Sequence, residues 1–341
     1  MPTTAASSAL GGRSMMAVSQ DVPPGRVPLE LVVVAEEVMS GAASEAFKGA
    51  IHVGHYTVQC PHMDGREVAT EVDFCEGPVW TQDGRLIFTS IDHGCLYELT
   101  PEGLSVRAET GGGPNGLAEG RGGILYVAQN GGSARADARS SPAEPGIQRV
   151  EGQRVTYLAR GLEAPNDLCF GPDGRLYFTD PCGLTASGER KPGRVYALAE
   201  GGEPELLAEG PAYTNGIAFG PDSADLYVAE TIGQRVLVYR VRDGDLGEPA
   251  EFCRTDAGYP DGMCFDVEGK LYVAATVAHE VQVFDRQGTR VDTLPCGEDS
   301  MPTNCCFGGP ENKTLFVTES RGGRVLAFDL ATPGLPLFPF R

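Results

Sequence analysis

The chain has 341 residues and carries 47 Asp plus Glu against 27 Lys plus Arg, a formal net charge of −20. Such a field repels phosphate backbones and anionic lipid, which excludes nucleic acid and membrane surfaces as partners. The 46 glycines and 25 prolines make turns frequent and helices few, and no run approaches the ~18 apolar residues of a membrane span.

Taken in chain order, residues 1–28 (MPTTAASSALGGRSMMAVSQ onward) have no strand or helix period and read as disordered. They also lack the apolar stretch of a secretory signal, so the expected location is cytoplasmic. Residues 29–65 contain two strand-like runs, LELVVVAEEV and IHVGHYTVQ, and read as an N-terminal extension. From residue 66 to 335 the chain repeats itself. The ten cysteines include no CxxC pair, and those in DLCF, GMCF and NCCF sit in apolar runs, where a thiol behaves as a small hydrophobe.

The repeat has two apolar runs. The first recurs as CEGPVW from Cys75, PNGLAEG from Pro114, PNDLCFG from Pro165, TNGIAFG from Thr214, PDGMCFD from Pro260 and PTNCCFGG from Pro302. One position in each serves as its anchor: Glu76, Asn115, Asn166, Asn215, Asp261 and Thr303. Thr303 is taken rather than Asn304 because only Thr303 stands four residues before Phe307, in register with Trp80, Glu119, Phe170, Phe219 and Phe265. The second run follows after a turn such as QDGR, GPDGR or DVEGK, as LIFTS, LYVAQ, LYFTD, LYVAE, LYVAA and LFVTE. Asp-Gly turns of this type close hairpins. A third alternating run (CLYEL, RVYAL, RVLVYRV, VQVFD, RVLAFD) leaves room for a fourth. Units of about 40 to 50 residues with four strands each are the signature of propeller blades. The fold expected is therefore an all-β, six-bladed β-propeller with an N-terminal extension, one domain with one core. A single Trp and no Trp-Asp dipeptide argue against the WD-repeat type.

The first strand of each blade lines a propeller's channel, so the six anchors should form a ring at one end. That ring offers oxygen ligands and two formal negative charges, which suits a hard divalent cation, Ca²⁺ above Zn²⁺, Mn²⁺, Mg²⁺ or Fe²⁺. Asn-Gly and Asp-Gly also form turns, a reading that covers Asn115, Asn215 and Asp261 but neither Glu76 nor Asn166.

The series EGPVW, PNGLA, PNDL, TNGIAFGPD, PDGMCFDVEGKLYVA and CCFGG resembles the SMP-30/gluconolactonase/luciferin-regenerating family of six-bladed propellers over roughly residues 70 to 330. The resemblance implies a metal-dependent lactonase acting on a small-molecule lactone, with the cation held by Glu76, Asn166, Asn215 and Asp261. It also implies Asp261 as the catalytic base. Two positions depart from relatives: Ala164 stands where animal members carry an Arg that touches a sugar lactone, and Asn115 where paraoxonase-like propellers carry a His. The first departure favours less polar lactones.

Lactone opening requires a polarised carbonyl, an activated water and protonation of the leaving ring oxygen. Asn115, Asn166, Asp167 and Asp180 are candidate substrate-binding residues at the channel mouth. Asp167, Asp180, His93 and His279 are alternatives to Asp261 as base. The loops 130–146 and 180–193, rich in Gly, Ser and Ala, are candidate mobile segments around the mouth. No GxSxG, GxxxxGK[ST] or HExxH motif occurs, which removes the main support for serine esterase, NTPase and zincin chemistry. Two other readings remain open: a phosphotriesterase on the same cation, and a non-catalytic propeller that binds a protein partner.

Overall fold

The structure is a computed structural model that describes residues 50–53, 56–59, 65–132, 140–183 and 187–341. The disorder expected for 1–28, the LELVVVAEEV run, and the centres of the loops 130–146 and 180–193 lie outside the described residues. The chain falls into two units, Met1–His62 and Met63–Arg341. The described part of the first is an antiparallel hairpin of β1 (Ala50–Val53) and β2 (Tyr56–Gln59), with Ala50 opposite Gln59.

The second unit is a propeller of six antiparallel sheets. Blade one is β4 (Cys75–Trp80), β5 (Leu86–Ser90), β6 (Cys95–Thr100) and β7 (Gly103–Glu109). Blade two is β8 (Pro114–Glu119), β9 (Leu125–Gln129), β10 (Gly146–Glu151) and β11 (Arg154–Arg160). Blade three is β12 (Leu168–Phe170), β13 (Leu176–Asp180), β14 (Arg194–Leu198) and β15 (Glu205–Glu209). Blade four holds β16 (Thr214–Phe219), β17 (Asp225–Glu230), β18 (Arg235–Arg242) and β20 (Ala250–Arg254), with the short β19 (Asp245–Leu246) paired to the end of β18. Blade five is β21 (Pro260–Phe265), β22 (Leu271–Ala275), β23 (Glu280–Phe284) and β24 (Arg290–Pro295). Blade six comprises β25 (Pro302–Gly308), β26 (Thr314–Glu319) and β27 (Arg324–Asp329). Its outermost strand comes from the other end of the unit: β3 (Arg66–Thr70) pairs with β27, Thr70 opposite Arg324.

The apolar interior is divided. Each of six clusters of buried side chains fills the space between two consecutive blades, for example Leu96, Leu117 and Val127 between blades one and two. A single continuous core was the simpler expectation; because each blade is a sheet with both faces apolar, the interior takes the form of six layers around the channel.

The repeated sequence explains the layers. The Tyr of each LYV or LYF run packs on the aromatic four residues past the next blade's anchor: Tyr126 on Phe170, Tyr177 on Phe219, Tyr227 on Phe265 and Tyr272 on Phe307, with centroids 4.9 to 5.2 Å apart. Phe316 of blade six stacks on Trp80 of blade one at 5.5 Å. Only the junction of blades one and two lacks the pair, since Ile87 and Glu119 hold the two slots there. Such contacts add roughly 0.5 to 1.5 kcal/mol each beyond area burial.

Close approach of the innermost strands requires glycine after most anchors. A Cβ on Gly77 would lie 2.3 Å from the Asn115 carbonyl oxygen, and one on Gly216 2.3 Å from that of Asp261. The far end of the channel, where these strands finish, is bordered by Trp80, Phe170, Phe219, Phe265 and Phe307 around a cavity of about 430 Å³. The C-terminal segment lies across it: Leu335 N–H donates to the Phe265 carbonyl and Phe338 packs edge-on against Phe219.

Candidate active site

The anchors sit at the starts of the innermost strands, where each strand enters the sheet from the preceding blade. A recurring device fixes that entry. The last residue of the second strand turns its side chain onto the incoming connection. Gln129 accepts from Gly113 N–H at 2.6 Å, Glu230 from Ala212 N–H at 2.6 Å and Glu319 from Met301 N–H at 2.6 Å. In blade three the same position is Asp180, which accepts from Glu163 N–H at 2.9 Å, Ala164 N–H at 3.0 Å and Cys182 N–H at 3.1 Å. Both of its oxygens are engaged by backbone, so Asp180 acts here as a clamp on the segment leading to Asn166. Hydroxyls fasten neighbouring blades at the same level: Thr89 donates to the Asn115 carbonyl and Thr179 to that of Asn215, at 2.8 and 2.6 Å.

Glu76, Asn115, Asn166, Asn215 and Asp261 are all buried. The sixth slot differs from the sequence-based assignment. Thr303 is consumed by packing, its hydroxyl donating to the Cys75 carbonyl of blade one and meeting the Thr318 hydroxyl. Asn304 instead reaches into the channel, beside the carboxylates of both Glu76 and Asp167. Blade six stands opposite blade three in a six-bladed ring, so this carboxamide crosses the axis. The position that follows the anchor is glycine in four blades and Asp167 or Asn304 in the other two. That departure from the repeat is the signal the register argument passed over.

Three carboxylates thus share a buried space with no lysine or arginine among the groups that shift them. Burial, reinforced by the charge of Asp167, pushes Glu76 up to about 8. Burial raises Asp167 to about 6, against backbone donors Leu168 and Ile217. Asp261 is held well above the usual range by burial and by the charges of Glu76 and Asp167, while Asn215 beside it favours the anion. Asn115 adds a buried Oδ1 with no hydrogen-bond partner. Among the described residues no three His, Cys, Asp or Glu side chains stand close enough to ligate an ion by themselves. Electrostatic coupling acts over longer distances than ligation, and any ligand set here must draw on carboxamides. A hard cation fits: the donors are all oxygen, the surplus charge is negative, and one acceptor is unsatisfied.

The histidines are tied elsewhere. His93 lies 2.7 Å from the Tyr97 hydroxyl through Nδ1 and 3.0 Å from Asp73 through Nε2. His279 Nδ1 donates to the Ser300 carbonyl at 2.5 Å. Tyr213, two residues before Asn215, was not singled out by the repeat. It has a left-handed φ of 69°, and its phenol feels the charges of Asp261 and Glu76.

Fold and site together define a six-bladed propeller with a buried oxygen-lined ring at one end of its channel. The chain belongs to the SMP-30/Gluconolactonase/LRE-like family, whose model matches residues 74–321. It is similar to a gluconolactonase of Zymomonas mobilis, 28% identical over 309 residues, covering 79% of this chain and 84% of that protein. It is also similar to the pentonolactonase XacC of Haloferax volcanii, 26% identical, covering 80% of this chain and 96% of that one. A solved structure of a calcium-binding regucalcin from Agrobacterium tumefaciens shares the fold, with a TM-score of 0.68, 20% identity, and coverage of 82% and 98%. Among the described residues no helix is long and apolar enough to cross a membrane.

Proposed function

We propose that the protein is a metal-dependent lactonase that opens a small sugar-type lactone. The observation that carries this reading is the buried set Glu76, Asn215, Asp261, Asp167 and Asn304, an oxygen-only cluster with surplus negative charge and, among the described residues, no buried lysine or arginine. Glu76, Asn166, Asn215 and Asp261 would hold a divalent cation, with Ca²⁺ favoured by the donor chemistry. Such a cation supplies Lewis acidity to the lactone carbonyl.

The remaining work falls to side chains. The free Oδ1 of Asn115 accepts a hydrogen bond from a substrate hydroxyl, and Asn166 orients the substrate from the next blade. Asp261, or Asp167, takes the proton of the attacking water and returns one to the ring oxygen that leaves. No covalent nucleophile is needed: the nearest thiols, Cys75 and Cys169, are pushed well above the usual thiol range by burial and by the charges of Glu76 and Asp167. The relatives named for gluconolactone and pentonolactone hydrolysis support lactones over phosphotriesters. They also move the substrate expected from the Ala164 departure back towards hydroxylated lactones.

The test is a pH-indicator assay over aldonolactones, alkyl lactones, an aryl ester and an organophosphate, with and without chelator. Lactone turnover that chelation abolishes and Ca²⁺ restores supports the proposal. Turnover that survives complete metal removal, or none at all with the metal-loaded protein, overturns it.

A further inference from the structure

Beside the ring stands an arginine held against an aromatic side chain. Arg190 lies on the mouth loop between β13 and β14, and its guanidinium sits 5.3 Å from the centroid of the Tyr213 ring. Other arginines near the mouth spend their N–H groups on carboxylates: Arg194 meets Glu209 at 2.7 Å, and Arg324 meets Glu319 at 3.0 Å. A guanidinium that rests against an aromatic ring keeps N–H donors for another partner. Arg190 is exposed, so those donors are open to a ligand at the mouth.

The platform beneath it is fixed in place. Tyr213 holds a positive φ that a bulky residue rarely adopts, and its neighbours lock it. The Tyr213 carbonyl accepts from Thr231 N–H at 3.0 Å, Ala212 N–H donates to Glu230 at 2.6 Å, and Thr214 donates to the Arg194 carbonyl at 3.2 Å. The chain then enters β16, and Asn215 follows in the ring. A strained backbone that places an aromatic face two residues from a buried polar cluster positions whatever rests on that face.

We propose that Arg190, seated on Tyr213, is a specificity-determining residue that selects lactones with an oxygen-bearing substituent, whose hydroxyl or acid oxygens accept from the guanidinium edge. The inference rests on the lactonase reading and adds to it the part of the substrate read away from the carbonyl. Lactones with an unsubstituted alkyl ring make no use of the contact.

The experiment compares wild type, Arg190→Ala, Arg190→Lys and Tyr213→Phe on an aldonolactone and on an unsubstituted δ-lactone, with calorimetric titration of the corresponding aldonate. Arg190→Ala should raise KM for the aldonolactone on the order of tenfold or more, leave kcat nearly unchanged, and weaken aldonate binding by the same factor. The unsubstituted lactone should be hydrolysed as before. Arg190→Lys should recover part of the loss, because charge survives but stacking and the forked donors do not. Tyr213→Phe keeps the face and should resemble wild type in KM. An Arg190→Ala protein that treats both lactones as wild type does, or loses both equally, overturns the inference while leaving the lactonase reading intact. Absence of lactone turnover in the wild type overturns both.

Discussion

Glu76 and Asp261 are acidic groups placed where water is scarce, where burial and the charge of Asp167 raise the cost of ionising both, and where Glu76 raises that of Asp261 further. A divalent cation relieves that cost, so neutralising either acid should weaken the site rather than improve it. Glu76→Gln and Asp261→Asn are each expected to lower Ca²⁺ affinity on the order of 10- to 100-fold and to shrink the rise in Tm that the ion gives wild type; calorimetric titration and thermal melts read both. Glu119 poses a separate question, since it occupies the slot that holds an aromatic in the other five blades. Its carboxylate accepts from Gln82 N–H at 2.8 Å, and burial raises its pKa. A group whose native pKa is raised binds its proton more tightly when folded. Its stabilising contribution is complete below the unfolded-state value and fades as pH climbs through the native one. Glu119→Gln, which cannot ionise, should therefore gain stability over wild type as pH rises from the acid range towards neutrality, as measured by urea unfolding at several pH values.

At the scale of the strand and the blade, the packing arithmetic is carried by one repeated contact. Phe219 bridges Tyr177 and Phe338 and is almost fully buried. Phe219→Ala should cost about 3 to 5 kcal/mol, seen as a lower urea midpoint, with ring residues and metal affinity little changed. This contact also explains what could be read from sequence. The inner two strands of every blade are buried on both faces, so their apolar runs, the Leu that opens the second strand and the aromatic slot survive as a countable pattern. The outer strands face solvent: GLSVRAE of β7 and ELLAE of β15 have mostly exposed or half-buried residues, and their alternation fades into background. The buried anchor positions were legible in Glu76, Asn115, Asn166, Asn215 and Asp261, whose slots all repeat. Asn304 was not, because its role depends on reaching across the axis, a distance no spacing along the chain encodes. Arg190 and Tyr213 were hidden for the same reason, coming from a loop and a connection that follow no period.

For the molecule as a whole, closure depends on a strand that precedes every repeat. β3 reads REVAT and carries no blade motif, yet it completes blade six by pairing with Arg324–Ala327. A protein lacking residues 1–28 should melt at the wild-type temperature. One lacking residues 1–70 should lose several degrees or more and aggregate, since β27 would present an unpaired edge; differential scanning fluorimetry with light scattering separates the two. The pairing also sets an order of events during synthesis. β3 leaves the ribosome among the first parts of this unit, but its partner emerges more than two hundred residues later. For that whole interval the nascent chain carries a strand with no mate, and the blades that fold behind it can form only an open arc. Sealing the arc into a circle waits for the final stretch of translation. A pause placed late in the message would therefore prolong the window in which the open form can pair with a neighbour's edge instead of its own.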